Sequence, residues 1–502
     1  MELWRPHDYS VRRMRGRTVV VGAGLAGLSC AFDLMRAGHD VVVLESGSRA
    51  GGVVGTVERD GFRFEIGPNT VQASSRAFRG LCGDLGIADR MIATDRSAGV
   101  RYLWFRGKLV ALPRSPLGLV TTPLLSLEAK RTILSEPFRR FEAPPPDAPE
   151  PTFEQFLDER LGREATRLLA GSFVRGVYAA EIDELGARSA FPRMWGKAIR
   201  YHGLVRGLAG SRKEAREAGP MAGPDVPSSA LVSFHNGLQA VVDALTGALG
   251  ARVRLNRSVE AIERFENGWN VVPTGGAGVF AQRVVLAVPA PVAARLVATA
   301  VEDDEASRVL RGVRHARVTV VHLGFANGAA LAGDDATTRG RDPSATSTHA
   351  YLPVGFGYLV PPDEDARGSI APRALGTIFA SNLFPDRAPR GGSCSASFYR
   401  GSDVERLDDA ACAALACDDL RLVLGTSARP RPTLELVRRW SDVIPRYEPG
   451  HDARVRDLHA HLRVHAPGLV LAGSYTGGVS LDSVVARGRE VARAIVREEL
   501  HA

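Results

Sequence analysis

From Arg17 the chain opens with a short unbroken apolar run, RTVVV, that meets a cluster of glycines and then text with helical spacing, LAGLSCAFDLMRAG, closed by Gly38. A second apolar run, DVVVLE, follows at once. Short apolar runs bounded by turn residues read as buried strands, and a 3.6-residue recurrence reads as helix. Residues 17–45 therefore predict a parallel strand–helix–strand unit. Similar strand-rich, glycine-punctuated text returns at Arg252 to Pro289 and at Leu469 to Gly473, ahead of a closing helix, SVVARGREVARAIVREEL. The pattern predicts an α/β, Rossmann-like nucleotide-binding domain assembled from distant stretches, residues 15–85, 228–300 and 436–502.

Two inserted regions lie between these stretches. Residues 86–227 carry proline breaks (APPPDAPEP) and helical text such as FEQFLDERLGREATRLLAGSFV, and read as mostly helical. Within them, SPLGLVTTPLLSLEAK and MWGKAIRYHGLVRGLAGSRK mix apolar, aromatic and basic residues, as core helices with a charged surface do and as a helix in a membrane interface does. Residues 301–435 contain alternating stretches, ARVTVVHLGF and SCSASFYRG, that predict an antiparallel sheet. Their segment ANGAALAGDDATTRGRDPSATST reads as a flexible loop.

A length of 502 residues sets an expectation of roughly two to four domains and room to bury a large cofactor. With 45% hydrophobic and 24% charged residues, wholesale disorder is excluded. The 64 basic and 56 acidic residues leave +8, an excess that an ordinary solvated surface accommodates and that would also favour an anionic membrane or an acidic substrate. Nothing points to nucleic acid. Five cysteines, Cys30, Cys82, Cys394, Cys412 and Cys417, form no CxxC pair, which argues against zinc ribbons and a disulfide framework and fits a reducing compartment. The first residues, MELWRPHDYSVRRMRGR, hold no apolar core and read as a tail, not a secretory signal. No apolar run reaches the roughly 18 residues of a spanning helix, so any membrane contact is expected to be peripheral.

The chemistry concentrates in VVVGAGLAGLSC. Gly22, Gly24 and Gly27 form GxGxxG between a strand and a helix, with Ala23, Leu25 and Ala26 completing the turn. Glycines there permit the tight turn, the approach of backbone to a pyrophosphate and close helix packing, while the helix start offers free N–H groups. Eighteen residues beyond Gly27, Glu45 ends the second strand, placed for the ribose hydroxyls of an unphosphorylated adenosine, with Ser46 beside it. Next come SGSRAGGVVGT, with Arg49, Gly51, Gly52 and Val53, and FEIGPNT, with Gly67, Pro68, Asn69 and Thr70. An arginine can neutralise pyrophosphate, and glycines let backbone pass beside it. No HExxH, ordered Ser/His/Asp set or metal-ligand cluster stands out, and no catalytic base is indicated.

The segments after Glu45 resemble the second half of the flavoprotein signature of the flavin amine oxidase superfamily, and LVLAGSYTGGVSLDSVVARG resembles its C-terminal flavin segment. The resemblance implies FAD, with the GPNT turn near the flavin and the helix start at Val479, Ser480 and Leu481 facing the isoalloxazine. Val259 joins the cofactor set on the same ground. From Arg17 to Arg497 the chain is similar to the protoporphyrinogen oxidase family in particular. RYLWFRGKLVALP (101–113), FVRGVYAAEIDELGARSAFPRMW (173–195), GFGYLVPPDED (355–365) and IPRYEPGH (444–451) carry that similarity. It implies that Arg101 pairs with a substrate propionate, that Gly176 gives room to a flat macrocycle, and that Phe356, Leu359 and Ile378 are apolar contacts. The fold it implies is an FAD domain of the amine oxidase type with an inserted helical, membrane-associating domain (86–227) and an inserted antiparallel-sheet substrate domain (301–435). The loop at 327–350 and the prolines near 143–151 depart from the family pattern.

The activity so implied is FAD-dependent oxidation of protoporphyrinogen IX to protoporphyrin IX in haem biosynthesis, by successive hydride transfers from a meso carbon, with oxygen as acceptor and peroxide as product. With no cysteine after Cys417, the flavin is expected to be non-covalent. A cytoplasmic location at a membrane face, a homodimer and a ferrochelatase contact are further expectations of the resemblance. Three rivals stay open on the residues: oxidation of coproporphyrinogen III, a flavin amine oxidase or carotenoid-type desaturase, and a non-catalytic flavin-binding scaffold.

Overall fold

The computed structural model describes residues 16–145, 148–217, 230–302, 304–326, 352–362 and 370–500. The 327–350 loop, the first 15 residues and the end of the 355–365 segment lie outside the described residues.

A five-stranded parallel sheet forms the centre of the nucleotide-binding part, ordered 253–254, Val41–Leu44, Thr18–Val21, Arg283–Leu286, Leu469–Leu471. Its strands are almost wholly apolar because both faces are covered. Val20, Val41, Val43 and Val285 point into a core shared with helices Leu25–Arg36 and Gln239–Leu249. Their neighbours Val19, Val21, Val42, Val284 and Leu286 point the other way, onto helices Ala290–Ala300 and His451–His465. The closing helix Leu481–Leu500 lies along Leu25–Arg36, and a Cβ on Gly488 would stand 2.2 Å from the Ala26 carbonyl oxygen. Only glycine allows the two helices this approach.

A seven-stranded sheet makes the second layer, in the order Leu434–Pro445, His315–Phe325, Ser393–Arg400, Gly376–Ile378, Gly357–Leu359, Arg101–Phe105, Lys108–Ala111. It corrects the sequence reading in three places. Residues 101–111, read within a mostly helical region, are a hairpin, because RYLWF packs apolar side chains on both faces and Arg106 and Gly107, both at positive φ, turn the chain. The sheet is not wholly antiparallel, since Gly357–Leu359 runs parallel to Arg101–Phe105. The stretch 434–445 is one strand across the boundary drawn at 435/436, held along its length by His315–Phe325.

Among the inserted helices, Phe153–Leu161 starts at a capping box of Thr152 and Gln155. Its apolar face meets Phe141 and Trp195 in edge and tilted ring contacts. The two long amphipathic readings break. SPLGLVTTPLLSLEAK becomes Pro116–Thr121 and Leu127–Ser135 around Pro123, and the later stretch becomes Pro192–Arg200 and Leu204–Glu217 around His202, which sits at φ +51°. Among the described residues no helix is long and apolar enough to cross a membrane. The proline-rich stretch does more than shape a rim. The buried side chain of Glu150 accepts the N–H groups of Arg188 and Ser189 through one oxygen and that of Gly450 through the other, tying the helical insert to the 444–451 segment.

Candidate active site

The carboxyl ends of Thr18–Val21, Arg283–Leu286 and Leu469–Leu471 lie side by side, and the glycine-rich turns leave from this edge. Ligands of open parallel sheets bind there. The three glycines of the first turn do three different jobs. Gly22 sits at φ +103°, and a Cβ there would lie only 2.6 Å from the Ala287 carbonyl oxygen, so no other residue fits the turn. A Cβ on Gly27 would meet the Gly22 carbonyl oxygen at 2.1 Å, which is the close packing of helix on turn. At Gly24 a Cβ would meet nothing within 4 Å, so this backbone faces open space.

The helix that starts there, Leu25–Arg36, has no side-chain cap and no acid in its first turn. Its first amides have no side-chain acceptor, the arrangement that binds a phosphate anion. Across the opening, Gly51 donates to the Ala23 carbonyl at 2.8 Å, and a Cβ on Gly52 would approach the Gly24 Cα at 3.3 Å. Two glycine turns thus form one cradle. Arg49 donates to the carbonyls of Ala50, Gly52 and Val54, so its guanidinium fastens the second turn. Gly67 backs against that turn, its Cβ position 2.1 Å from the Val53 carbonyl oxygen, with Pro68, Asn69 and Thr70 partly exposed beyond it.

Glu45 accepts from the amides of Ala23 at 2.7 Å and Gly47 at 2.8 Å, and from Ser46 Oγ at 3.2 Å. A carboxylate has about four acceptor positions, so capacity remains for a ribose hydroxyl. Its backbone carbonyl accepts from Arg257, two residues before the buried Val259. At the C-terminal turn, Gly478 stands at φ +117°, Val479 packs on the cluster of Tyr178 and Tyr447, and Ser480 Oγ accepts the Ser483 amide at 3.1 Å before the buried Leu481. Tyr447 donates to the Ser474 carbonyl and His451 Nε2 contacts that of Tyr475 at 2.7 Å, so the 444–451 segment fixes this turn from behind. Burial lowers the pKa of His451, favouring the neutral ring.

The second group of sequence-nominated residues gathers at one end of the seven-stranded sheet. Arg101 pairs with Gly357 and Gly357 with Ile378, while the Phe356 amide donates to the Val100 carbonyl at 2.8 Å. The Arg101 guanidinium lies 5.2 Å from the Phe356 ring centroid. Partial burial and the neighbouring Arg114 both lower the Arg101 pKa, the signature of two cations in range of one another. Phe356 and Ile378 pack on the same small cluster with Phe384. Gly176 and Leu359 meet directly, since a Cβ at 176 would be 2.3 Å from Leu359 Cδ2, and Gly376 makes room for the same side chain at 2.8 Å.

Sequence reasoning missed the groups that join the two layers. Glu65, between the Phe62–Glu65 strand and the GPNT turn, is buried and accepts from the Leu238 amide and Thr56 Oγ1, both at 2.9 Å, with Arg387 at 3.4 Å. Arg387 is buried as well and donates to Ser233 Oγ and the carbonyls of Phe234 and His235. Desolvation outweighs the arginine and pushes the Glu65 pKa up to about 7. Trp440 donates from its indole to the Ile66 carbonyl at 2.7 Å. Asp482 accepts the Ala77 and Phe78 amides, capping helix Arg76–Asp84 from a distant part of the chain. A lone acid in the apolar FEIG was the one signal available for Glu65; Arg387 and Trp440 had none.

The parallel sheet, the double glycine cradle with uncapped helix amides and the acid on the second strand define a dinucleotide-binding oxidoreductase fold. The chain belongs to the family of flavin containing amine oxidoreductases, whose profile matches residues 25–496. It is an oxidoreductase with FAD as cofactor. Among its relatives, the chloroplastic protoporphyrinogen oxidase of Oryza sativa subsp. japonica is 30% identical, over 96% of this chain and 88% of the rice protein. Protoporphyrinogen oxidase of Homo sapiens is 28% identical, over 96% of this chain and 99% of the human one. A crystal structure from Exiguobacterium, provisionally named protoporphyrinogen oxidase, shares the fold with a TM-score of 0.77 at 21% identity, covering 96% and 99% of the two chains. Putrescine oxidase bound to putrescine shares it more loosely, with a TM-score of 0.64 at 18% identity and the same coverage.

Proposed function

We propose that the protein oxidises protoporphyrinogen IX to protoporphyrin IX, with oxygen as the final acceptor and hydrogen peroxide as product. The observation that carries this reading is the Arg101 end of the seven-stranded sheet, where a guanidinium is stacked on Phe356 beside Ile378 in a chain whose relatives bear that enzyme's name. FAD supplies the hydride acceptor at N5 and the reactivity with oxygen. The cradle of Gly22 to Gly27, Arg49, Gly51, Gly52 and Val53 holds its pyrophosphate, Glu45 with Ser46 and Val259 its adenosine end, and Gly67 to Thr70 with Val479 to Leu481 its ring end. None of the five cysteines, all buried and unbridged, belongs to these segments, which supports a non-covalent flavin.

The protein's own part is orientation. Arg101, reinforced by Arg114, takes a propionate in a charge-assisted pair. Phe356, Leu359 and Ile378 press on the ring, and Gly176 gives room to it by letting Leu359 pack against its bare backbone. Exposed Leu117, Val120, Leu127 and Phe138, close in sequence to Lys130 and Arg131, support a peripheral seat on an anionic membrane face. Flotation with anionic liposomes at low salt tests that seat, and a protein left at the bottom rejects it.

The functional test is porphyrin fluorescence in air with protoporphyrinogen IX and coproporphyrinogen III in parallel, on protein whose flavin spectrum is recorded. Rapid turnover of the first is expected. Preference for the second would transfer the enzyme to the four-propionate substrate, and flavin-loaded protein inert to both would end the porphyrinogen reading.

A further inference from the structure

Many guanidinium groups of this fold are paired with carboxylates, as Arg188 is with Asp452, Arg314 with Glu448 and Arg489 with Asp33. Arg101 and Arg114 differ. Among the described residues neither has an ion pair or a side-chain hydrogen bond, and the charge that acts on Arg101 is the second arginine. The backbone explains why the two are close. The Leu112 amide donates to the Arg101 carbonyl at 2.8 Å, and Arg114 follows two residues later, at most about 7 Å along the chain. Like charges brought together without a counterion repel one another, and an anionic ligand removes that cost.

The supports of the two groups leave their donors open. Phe356 backs Arg101 from one side, with the guanidinium carbon 5.2 Å from the ring centroid. Arg114 lies against Gly99: a Cβ there would stand 3.1 Å from Nη2 and 3.3 Å from both Cζ and Nη1. Three near-equal distances mean that the flat face of the guanidinium covers the bare backbone of Gly99. A guanidinium donates in its plane, through its edge, so neither contact uses the donors. Each group carries about five N–H donors, against about four acceptor positions on one carboxylate. A single propionate leaves most of these donors unused; a pair of propionates matches two edges.

We infer that Arg114 is a specificity-determining residue: Arg101 and Arg114 each take one of the two propionates that protoporphyrinogen carries on neighbouring pyrroles, so that the site reads a pair of carboxylates. The inference rests on the functional reading above and goes beyond it, since one propionate on Arg101 is all that reading needs. A macrocycle held by two arms on one edge cannot swing about a single ion pair, which restricts how the ring turns in its own plane.

The test uses FAD-loaded enzyme with protoporphyrinogen IX, its monomethyl ester and its dimethyl ester in one detergent, and equilibrium binding of the three corresponding porphyrins by fluorescence. Wild type is expected to weaken in two steps, KM rising at least about fivefold with each ester while kcat stays within about twofold. In R114Q the diacid and the monoester should share one KM, because a single cation remains to read the arms, and only the second ester should weaken binding. R114K should restore part of the first step, with the flavin content of both variants that of wild type. An active wild type indifferent to the first ester overturns this inference alone, and so does R114Q that still separates diacid from monoester as wild type does. Flavin-loaded protein inert to all three porphyrinogens would reject the functional reading, and the porphyrin affinities of the same samples would still show one step or two.

Discussion

Replacing Arg387 by Met would leave the Glu65 carboxyl in place, 2% exposed on its side chain, without its arginine partner. In the wild type, burial raises the Glu65 pKa from its ordinary 4.5 to about 7. A carboxyl raised in the folded state favours folding while it is protonated, so its contribution is complete below pH 4.5 and is lost as pH rises to 7. At 1.36 kcal/mol per pH unit that loss is about 3 kcal/mol. Above pH 7 the wild-type group is ionised in both states and adds no further slope. Without Arg387 the folded pKa rises again, because the largest lowering influence is gone. The variant therefore keeps losing stability beyond pH 7, at up to about 1.4 kcal/mol per pH unit, until its own higher pKa is passed. A chain this long unfolds with an entropy near 1 kcal/mol per degree at ~2.1 cal/mol/K per residue, so the extra loss is up to about 1 °C per pH unit above 7, on top of a constant deficit from the broken bonds to Ser233, Phe234 and His235. The assay is thermal unfolding from pH 5 to 8.5 at saturating FAD, with Glu65→Gln expected to flatten the dependence between pH 4.5 and 7. Parallel curves for wild type and Arg387→Met above pH 7 would refute the argument.

The three glycines of the first turn should separate cleanly. Gly27→Ala, with its Cβ 2.1 Å from a backbone oxygen, should destabilise the apoprotein by about 1–3 kcal/mol, whereas Gly24→Ala should leave apoprotein melting unchanged and weaken FAD binding, read by flavin fluorescence. Arg101→Ala should raise KM for protoporphyrinogen at least tenfold with the flavin spectrum unaltered, and wild-type kinetics would remove its role. Gly176→Ala collides with Leu359 Cδ2, the far end of a flexible side chain, so kcat/KM should fall and the double variant Gly176→Ala/Leu359→Val should recover most of it. Gly488→Ala should drive the closing helix off Leu25–Arg36 and lower the melting temperature by about 1–3 °C, measured with and without FAD.

The cofactor half of the protein was legible because its constraints are local. A strand, a turn needing glycines and a helix start occupy neighbouring residues, so Gly22, Gly24, Gly27 and Glu45 announce themselves within one short stretch. The Arg101 end of the seven-stranded sheet was legible only through resemblance: nothing in RYLWF by itself says that Arg101 will stand over Phe356, some 255 residues on. The hairpin at 101–111 was hidden for a related reason. Its alternation is faint because residues 103–105 are buried on both faces, and what makes it a strand is a parallel partner from the 357–359 segment.

By itself the sequence determined the nucleotide-binding unit, since its strand, glycine turn and helix follow from periodicity and backbone freedom along a continuous stretch. Only the tertiary structure decided what lies between: the buried Glu65–Arg387 pair, Glu150 joining the helical insert to Gly450, and Asp482 capping a helix 405 residues away. Buried charge and shared walls depend on which distant segments exclude water together, and that is a property of the packed chain rather than of any window along it.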